Sequence, residues 1–216
     1  MRGYRKPNER AIWAKTNKNH PEEAKSCYHL PMLKIVKDNI PSLREKCAPV
    51  ELPLSAEDKK TLDEMLDYLK LSQDENYRKE HPECREGVGL AAPQIGVNKR
   101  MLVVYYPVID EDKNVEYVVR QLVNPKIISN SIRKAYLSSG EGCLSVDAEH
   151  EGYVLRHFKI VIKAYDAMAE ENVTLTARGY DAIVLQHEMD HLDGILFYDR
   201  INKDNPFYAP NDAVSY

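Results

Sequence analysis

Between Gly179 and Gly194 runs YDAIVLQHEMDHLD, an apolar segment of helix length without an internal glycine or proline, and it limits the possible folds more than any other stretch. Read as a helix, Ala182, Leu185, Met189 and Leu192 form one face suited to packing. Ile183, His187 and His191 form a second face, and Gln186 and Asp190 a third, polar one. A helix with apolar residues on two sides belongs in the interior, where two histidines and a glutamate without partners would be costly. Four helical residues turn the chain by about 400° and advance it by about 6 Å, so His187 and His191 stand one turn apart on nearly the same face. Both imidazoles can therefore reach one metal ion, which removes the cost. The alternative is a pair of core histidines satisfied by polar neighbours. Against it, Glu188 falls where a water beside that ion would need a base.

The rest of the chain supplies what such a helix packs against. RMLVVYY from Arg100, VEYVVRQLVNP from Val115, FKIVIKAYDA from Phe158 and NVTLTA from Asn172 read as strands with turn residues between most of them. Ser55 to Asp58 form a capping-box-like start, after which Leu62, Met65, Leu66 and Leu69 recur at helical spacing, predicting a surface helix with one buried stripe. The polar, proline-containing stretch 74–86 reads as a loop leading into GVGLAAPQIGV. The fold class expected is α+β, with mostly antiparallel sheets packed around a buried helix that carries HExxH.

HExxH provides two of the three protein ligands usual at a catalytic zinc-type site, so a third must lie elsewhere. The motif extends to Gly194 as in one protease class, yet the position of that class's third histidine is Phe197. Another class uses a downstream glutamate, but between Leu192 and Tyr216 there is neither glutamate nor histidine. Both protease patterns fail. The ligand is then sought upstream, among Cys27, Cys47, Cys84, Cys143 and the five remaining histidines. Cys143 stands out in SSGEGCLSV, after a Ser-Gly turn and before a β-type run, where a strand edge could hold its thiolate towards the helix.

GVGLAAPQ at 87–94, EGCLS at 141–145 and QHEMDHLDG at 186–194 together resemble, complete and in order, the three signature motifs of the peptide deformylases. The chain is most similar to the longer form common in Gram-positive bacteria: Asp147 stands where the shorter form usually has proline, and the first two motifs lie far apart. The resemblance implies Cys143, His187 and His191 as metal ligands and Glu188 as general base. It assigns the oxyanion donors to the Gln94 amide and the Leu144 backbone N–H. It also implies Val88, Gly89, Glu141 and Ile183 as substrate-binding residues, with Ile183 helping to form an apolar pocket for the first methionine. The activity implied is removal of the formyl group from N-formyl-methionyl nascent peptides, releasing formate. Gly87 and Gly89 would let a peptide backbone approach a sheet edge, although a plain bulge would also use glycine. Two imidazoles and a thiolate ordinarily suggest zinc, whereas the resemblance implies Fe(II), with nickel, cobalt or zinc able to substitute.

Composition sets outer bounds. At 216 residues the chain suits one domain with a sizeable core, and a net charge of −4 with interspersed signs does not suit a general nucleic-acid binder or a specific DNA reader. No apolar run approaches the roughly 20 residues of a membrane span and no secretory signal is evident, so a cytoplasmic location with reduced cysteines is expected. Residues 1–29 form a basic segment, expected to be a mobile arm; it could touch the ribosome near the exit site, but a solvated tail is the favoured reading because no interleaving of aromatic and basic residues supports more. The organisation expected is that arm, a peptide deformylase-like catalytic domain over 30–201, and a short C-terminal tail over 202–216.

Overall fold

A computed structural model describes residues 33–110 and 112–216. The strands are β1 (Gly89–Ala91), β2 (Met101–Ile109), β3 (Val115–Asn130), β4 (Lys134–Tyr136), β5 (Arg156–His157), β6 (Lys159–Asp166), β7 (Glu171–Arg178) and β8 (Val214–Ser215). Five of them form an antiparallel sheet in the order β1-β2-β3-β6-β7, and the other three a small sheet in the order β5-β4-β8. Two longer helices accompany them, α1 (Ala56–Ser72) and, after the short α2 (Glu75–Glu80), α3 (Tyr180–Leu192).

The apolar run of β2 is continuous because both faces of the sheet are covered. Leu102, Val104 and Tyr106 join Ala182, Leu185, Met189 and Leu192 of α3 in one core cluster. Met101 and Val103 point the other way and join Leu62, Met65, Leu66 and Leu69 of α1 in a second. Each such fully buried aliphatic side chain contributes about 1.5–3 kcal/mol by leaving water. The α1 stripe and its start match the sequence reading, since Ser55 Oγ accepts from Asp58 N at 3.1 Å.

Three details differ from that reading. The stretch 74–86, expected as a loop, contains α2, because the Asp74 carboxylate caps it by accepting from Asn76 N at 2.8 Å and Tyr77 N at 3.3 Å, and Tyr77 is buried. The C-terminal residues contribute β8, which runs parallel to β4. Pro125, inside the β3 run, lies where the register against β6 shifts, beside Asn124 with φ 52. Asn124 uses this bulge to exchange two hydrogen bonds of 2.8 Å with the main chain of Val50.

Among the described residues no helix is long and apolar enough to cross a membrane. Among the described residues Cys47, Cys84 and Cys143 are free and buried. Cys27 and the basic arm lie outside the described residues.

Candidate metal centre

Helix α3 delivers two histidines because its neighbours hold it on several sides. Gln186, on the polar face, pairs with the main chain of His157 in β5: its Oε1 accepts from His157 N at 2.9 Å and its Nε2 donates to His157 O at 2.9 Å. Just beyond the helix Gly194 takes φ 71, and a Cβ there would stand 2.6 Å from the Arg44 carbonyl carbon. The last glycine of HExxHxxG therefore serves a close backbone crossing here.

The ligand atoms of Cys143, His187 and His191 lie within 4.8 Å of one another, with Cys143 Sγ 3.3 Å from His191 Nε2. Cys143 is not on a strand edge as expected. It opens a tight turn in which Val146 N donates to Cys143 O at 3.2 Å, an isolated bridge that the run LSV does not extend. The Phe197 ring stacks on the His187 ring with centroids 6.2 Å apart, so the position that is a third ligand in one protease class here packs against His187 instead.

Glu141 and Arg156 form the layer behind the histidines. His187 Nδ1 lies 2.8 Å from Glu141 Oε2, so as a donor to that carboxylate it leaves Nε2 free to ligate. Arg156 grips the same carboxylate twice, at 2.6 Å and 2.8 Å, and donates to Asp190 at 2.9 Å. Arg200 donates to both oxygens of Asp190 at 2.5 Å. Burial alone would raise the Glu141 carboxyl, but the Arg156 guanidinium and His187 hold it down to about 2. Glu141, expected to line the substrate site, thus has its carboxylate engaged by Arg156 and His187. Sequence reasoning missed Arg156 and Arg200; the available signal was that two buried acids, Glu141 and Asp190, each require a cation.

The donor set fits a metal ion on its own chemistry. For His187 burial opposes the charged form, yet contacts with Cys143 and Glu141 outweigh it and raise its pKa well above the ordinary value, so the site favours positive charge there. His191 is held well below the ordinary value by burial and by His187, which suits a neutral nitrogen ligand. Burial pushes the Glu188 carboxyl up to about 7, against the pull of His187 and Arg156. Glu188 Oε2 and His191 Nδ1 are buried without a hydrogen-bond partner among the described residues.

The other expected site residues gather around this centre. Gln94 Oε1 accepts from Ala91 N at 2.8 Å, which turns Nε2 towards Cys143 Sγ at 3.5 Å and Ser145 Oγ at 3.2 Å. The Leu144 N–H belongs to the trans peptide whose carbonyl, Cys143 O, is taken by Val146, so it points out of the turn. Gly89 makes room for Glu188: a Cβ there would stand 2.7 Å from Glu188 Cδ and 2.8 Å from Glu188 Cγ. The glycine thus makes room for a side chain of the chain itself, which periodicity could not reveal. Val88 packs on the core, and Ile183 is buried one turn before His187.

A model of the polypeptide deformylase family matches residues 32–207. The chain belongs to that family. A peptide deformylase of Macrococcus caseolyticus is 49% identical over 186 residues, 86% of this chain and 98% of the relative. Peptide deformylase 2 of Bacillus subtilis is 45% identical over 186 residues, again 86% of this chain and 98% of the relative. Among solved structures, a peptide deformylase from Acinetobacter baumannii bound to Met-Ala-Ser is 30% identical with a TM-score of 0.61, covering 79% of this chain and 99% of that one. The three motifs of the family thus meet at one buried centre, on β1 and the turn after it, at Cys143, and on α3.

Proposed function

We propose that the chain is a metal-dependent hydrolase that removes the N-formyl group from the N-terminal formyl-methionine of newly made proteins. The observation that carries this reading is a buried Cys143–His187–His191 donor set flanked by an acid, Glu188, and an amide, Gln94, within a deformylase family member. Cys143, His187 and His191 would hold the metal. Following the family resemblance, we take it as Fe(II), with nickel, cobalt or zinc able to substitute. When bound, the ion supplies Lewis-acid polarisation and makes water a nucleophile near neutral pH.

The residues of the chain do the rest. Glu188 takes the proton from the attacking water as its oxygen adds to the formyl carbon, then passes it to the leaving nitrogen as the C–N bond breaks. Formate and a free amino terminus result. The Gln94 Nε2 and the Leu144 N–H donate to the oxyanion; removing one such donor typically lowers the rate by about 100-fold to 1,000-fold. Strand β1 lies at the edge of its sheet, and Val88 O already accepts from Tyr105 N at 2.9 Å. By the alternation of an antiparallel pair, Gly89 then presents its amide group to the free edge, where an extended peptide can add. Val88, Gly89 and Ile183 would contact the first residue, and Glu141 would support the site through His187.

Residues 30–201 would form the catalytic unit, preceded by the basic arm of 1–29 and followed by the tail of 202–216. Nascent formylated peptides, met in the cytoplasm near the ribosomal exit, are the partners this chemistry requires. The test is formate release from a formyl-Met peptide by protein prepared anaerobically with iron. Release supports the reading; no release overturns it, and cleavage of internal bonds in unformylated peptides would favour a protease.

A further inference from the structure

Four consecutive carbonyls around Leu144 are each held by a separate donor. Cys143 O accepts from Val146 N at 3.2 Å and Ser145 O from Asp38 N at 2.9 Å. Leu144 O accepts from Lys37 Nζ at 3.1 Å, and Val146 O from Arg85 Nη1 at 2.9 Å. The two cations meet at one carboxylate oxygen, since Asp147 Oδ1 lies 2.7 Å from Lys37 Nζ and 3.1 Å from Arg85 Nη1. The same N-terminal segment reaches the other donor, for Val36 N donates to Gln94 O at 2.8 Å, while Gln94 Nε2 touches Ser145 Oγ. Residues 36–38 therefore strap together the two segments that carry Gln94 and Leu144.

From this geometry we propose that Lys37, bridged to Arg85 by Asp147, is a positioning residue that aims the Leu144 N–H at the reacting oxygen. The inference rests on the reading of Leu144 as an oxyanion donor. The Leu144 N–H shares its peptide with Cys143 O, which Val146 N holds, and Lys37 Nζ holds the next peptide at Leu144 O. With both planes pinned the N–H cannot swing freely, and a hydrogen bond weakens steeply as its donor turns away from line. The side chains of Lys37, Arg85 and Asp147 are 39%, 46% and 66% exposed, so the ion pairs themselves add little to folding. Their effect should appear in the chemical step rather than in stability.

Lys37→Met tests this in the iron-loaded full chain. Because the donor is misaimed rather than lost, kcat for a formyl-Met peptide is expected to fall about tenfold, less than full removal of a donor, with KM little changed. Amide exchange at Leu144 and Ser145 should quicken, the melting temperature should stay near wild type, and Lys37→Arg should restore kcat. An unchanged kcat in Lys37→Met beside an active wild type overturns the proposal. So does a loss that Lys37→Arg fails to rescue, or one that follows a lowered melting temperature. If the wild type itself releases no formate, the reading of the site fails instead, and the amide exchange alone decides whether Lys37 orders the turn: faster exchange in Lys37→Met supports it, equal exchange overturns it.

Discussion

A methyl group at position 89 would press on Glu188 before it pressed on anything else, because Glu188 Cγ and Cδ occupy the space where a Cβ would sit. Gly89→Ala is therefore expected to displace Glu188, the proposed base, and lower kcat by about 100-fold, in the range for losing positioned acid–base catalysis, while the metal content stays near wild type. Equal activity in the two proteins would show that Glu188 is not held in place by that space. At Asp147 the Lys37 ammonium, and Arg85 beyond it, hold the carboxyl below its ordinary value. A carboxyl with a depressed folded pKa stabilises the fold above its unfolded value of about 3.9, and that contribution is lost as pH falls through the folded value. An NMR titration of the Asp147 side chain should accordingly give a midpoint below about 3.9, and Lys37→Met should return it towards that value.

Helix α3 was legible in the sequence because thirteen residues give periodicity room to speak: the packing face, the histidine face and the polar stripe all lie where spacing puts them. What holds its polar stripe was not legible. Asp190 pairs with Arg156, 34 residues away on a two-residue strand too short to show any alternation. Cys143 was found by residue type and motif, but the turn that holds it follows from a single bridge to Val146, not from a pattern of β residues. Arg156 is the cation that Glu141 and Asp190 share, with 2% of its side chain exposed. Arg156→Met should leave buried charge uncompensated and cost about 3–5 kcal/mol, read as a lower urea midpoint. It should also weaken metal retention, because Glu141 would lose the partner that fixes it against His187. A variant as stable as wild type would mean that the network contributes nothing to the fold.

At the scale of the molecule, the sheet lies between α1 and α3, and its first strand, β1, remains an edge that leads directly into Gln94. The fold class followed from the strand runs and one buried helix. The small sheet did not, since β4, β5 and β8 are two or three residues long and form only through contacts distant in sequence. The strap of residues 36–38 was invisible for the same reason: two of its bonds are donated by main-chain N–H groups, and the third carries the Lys37 ammonium to a carbonyl distant in sequence. The most direct measurement is metal analysis paired with formate release in the wild type, Cys143→Ala and Glu188→Ala, all prepared anaerobically with iron. The expected result is metal and formate release in the wild type, metal without turnover in Glu188→Ala, and weakened metal retention in Cys143→Ala. Full metal occupancy in Cys143→Ala, or undiminished formate release by Glu188→Ala, would contradict the assignment of ligands and base.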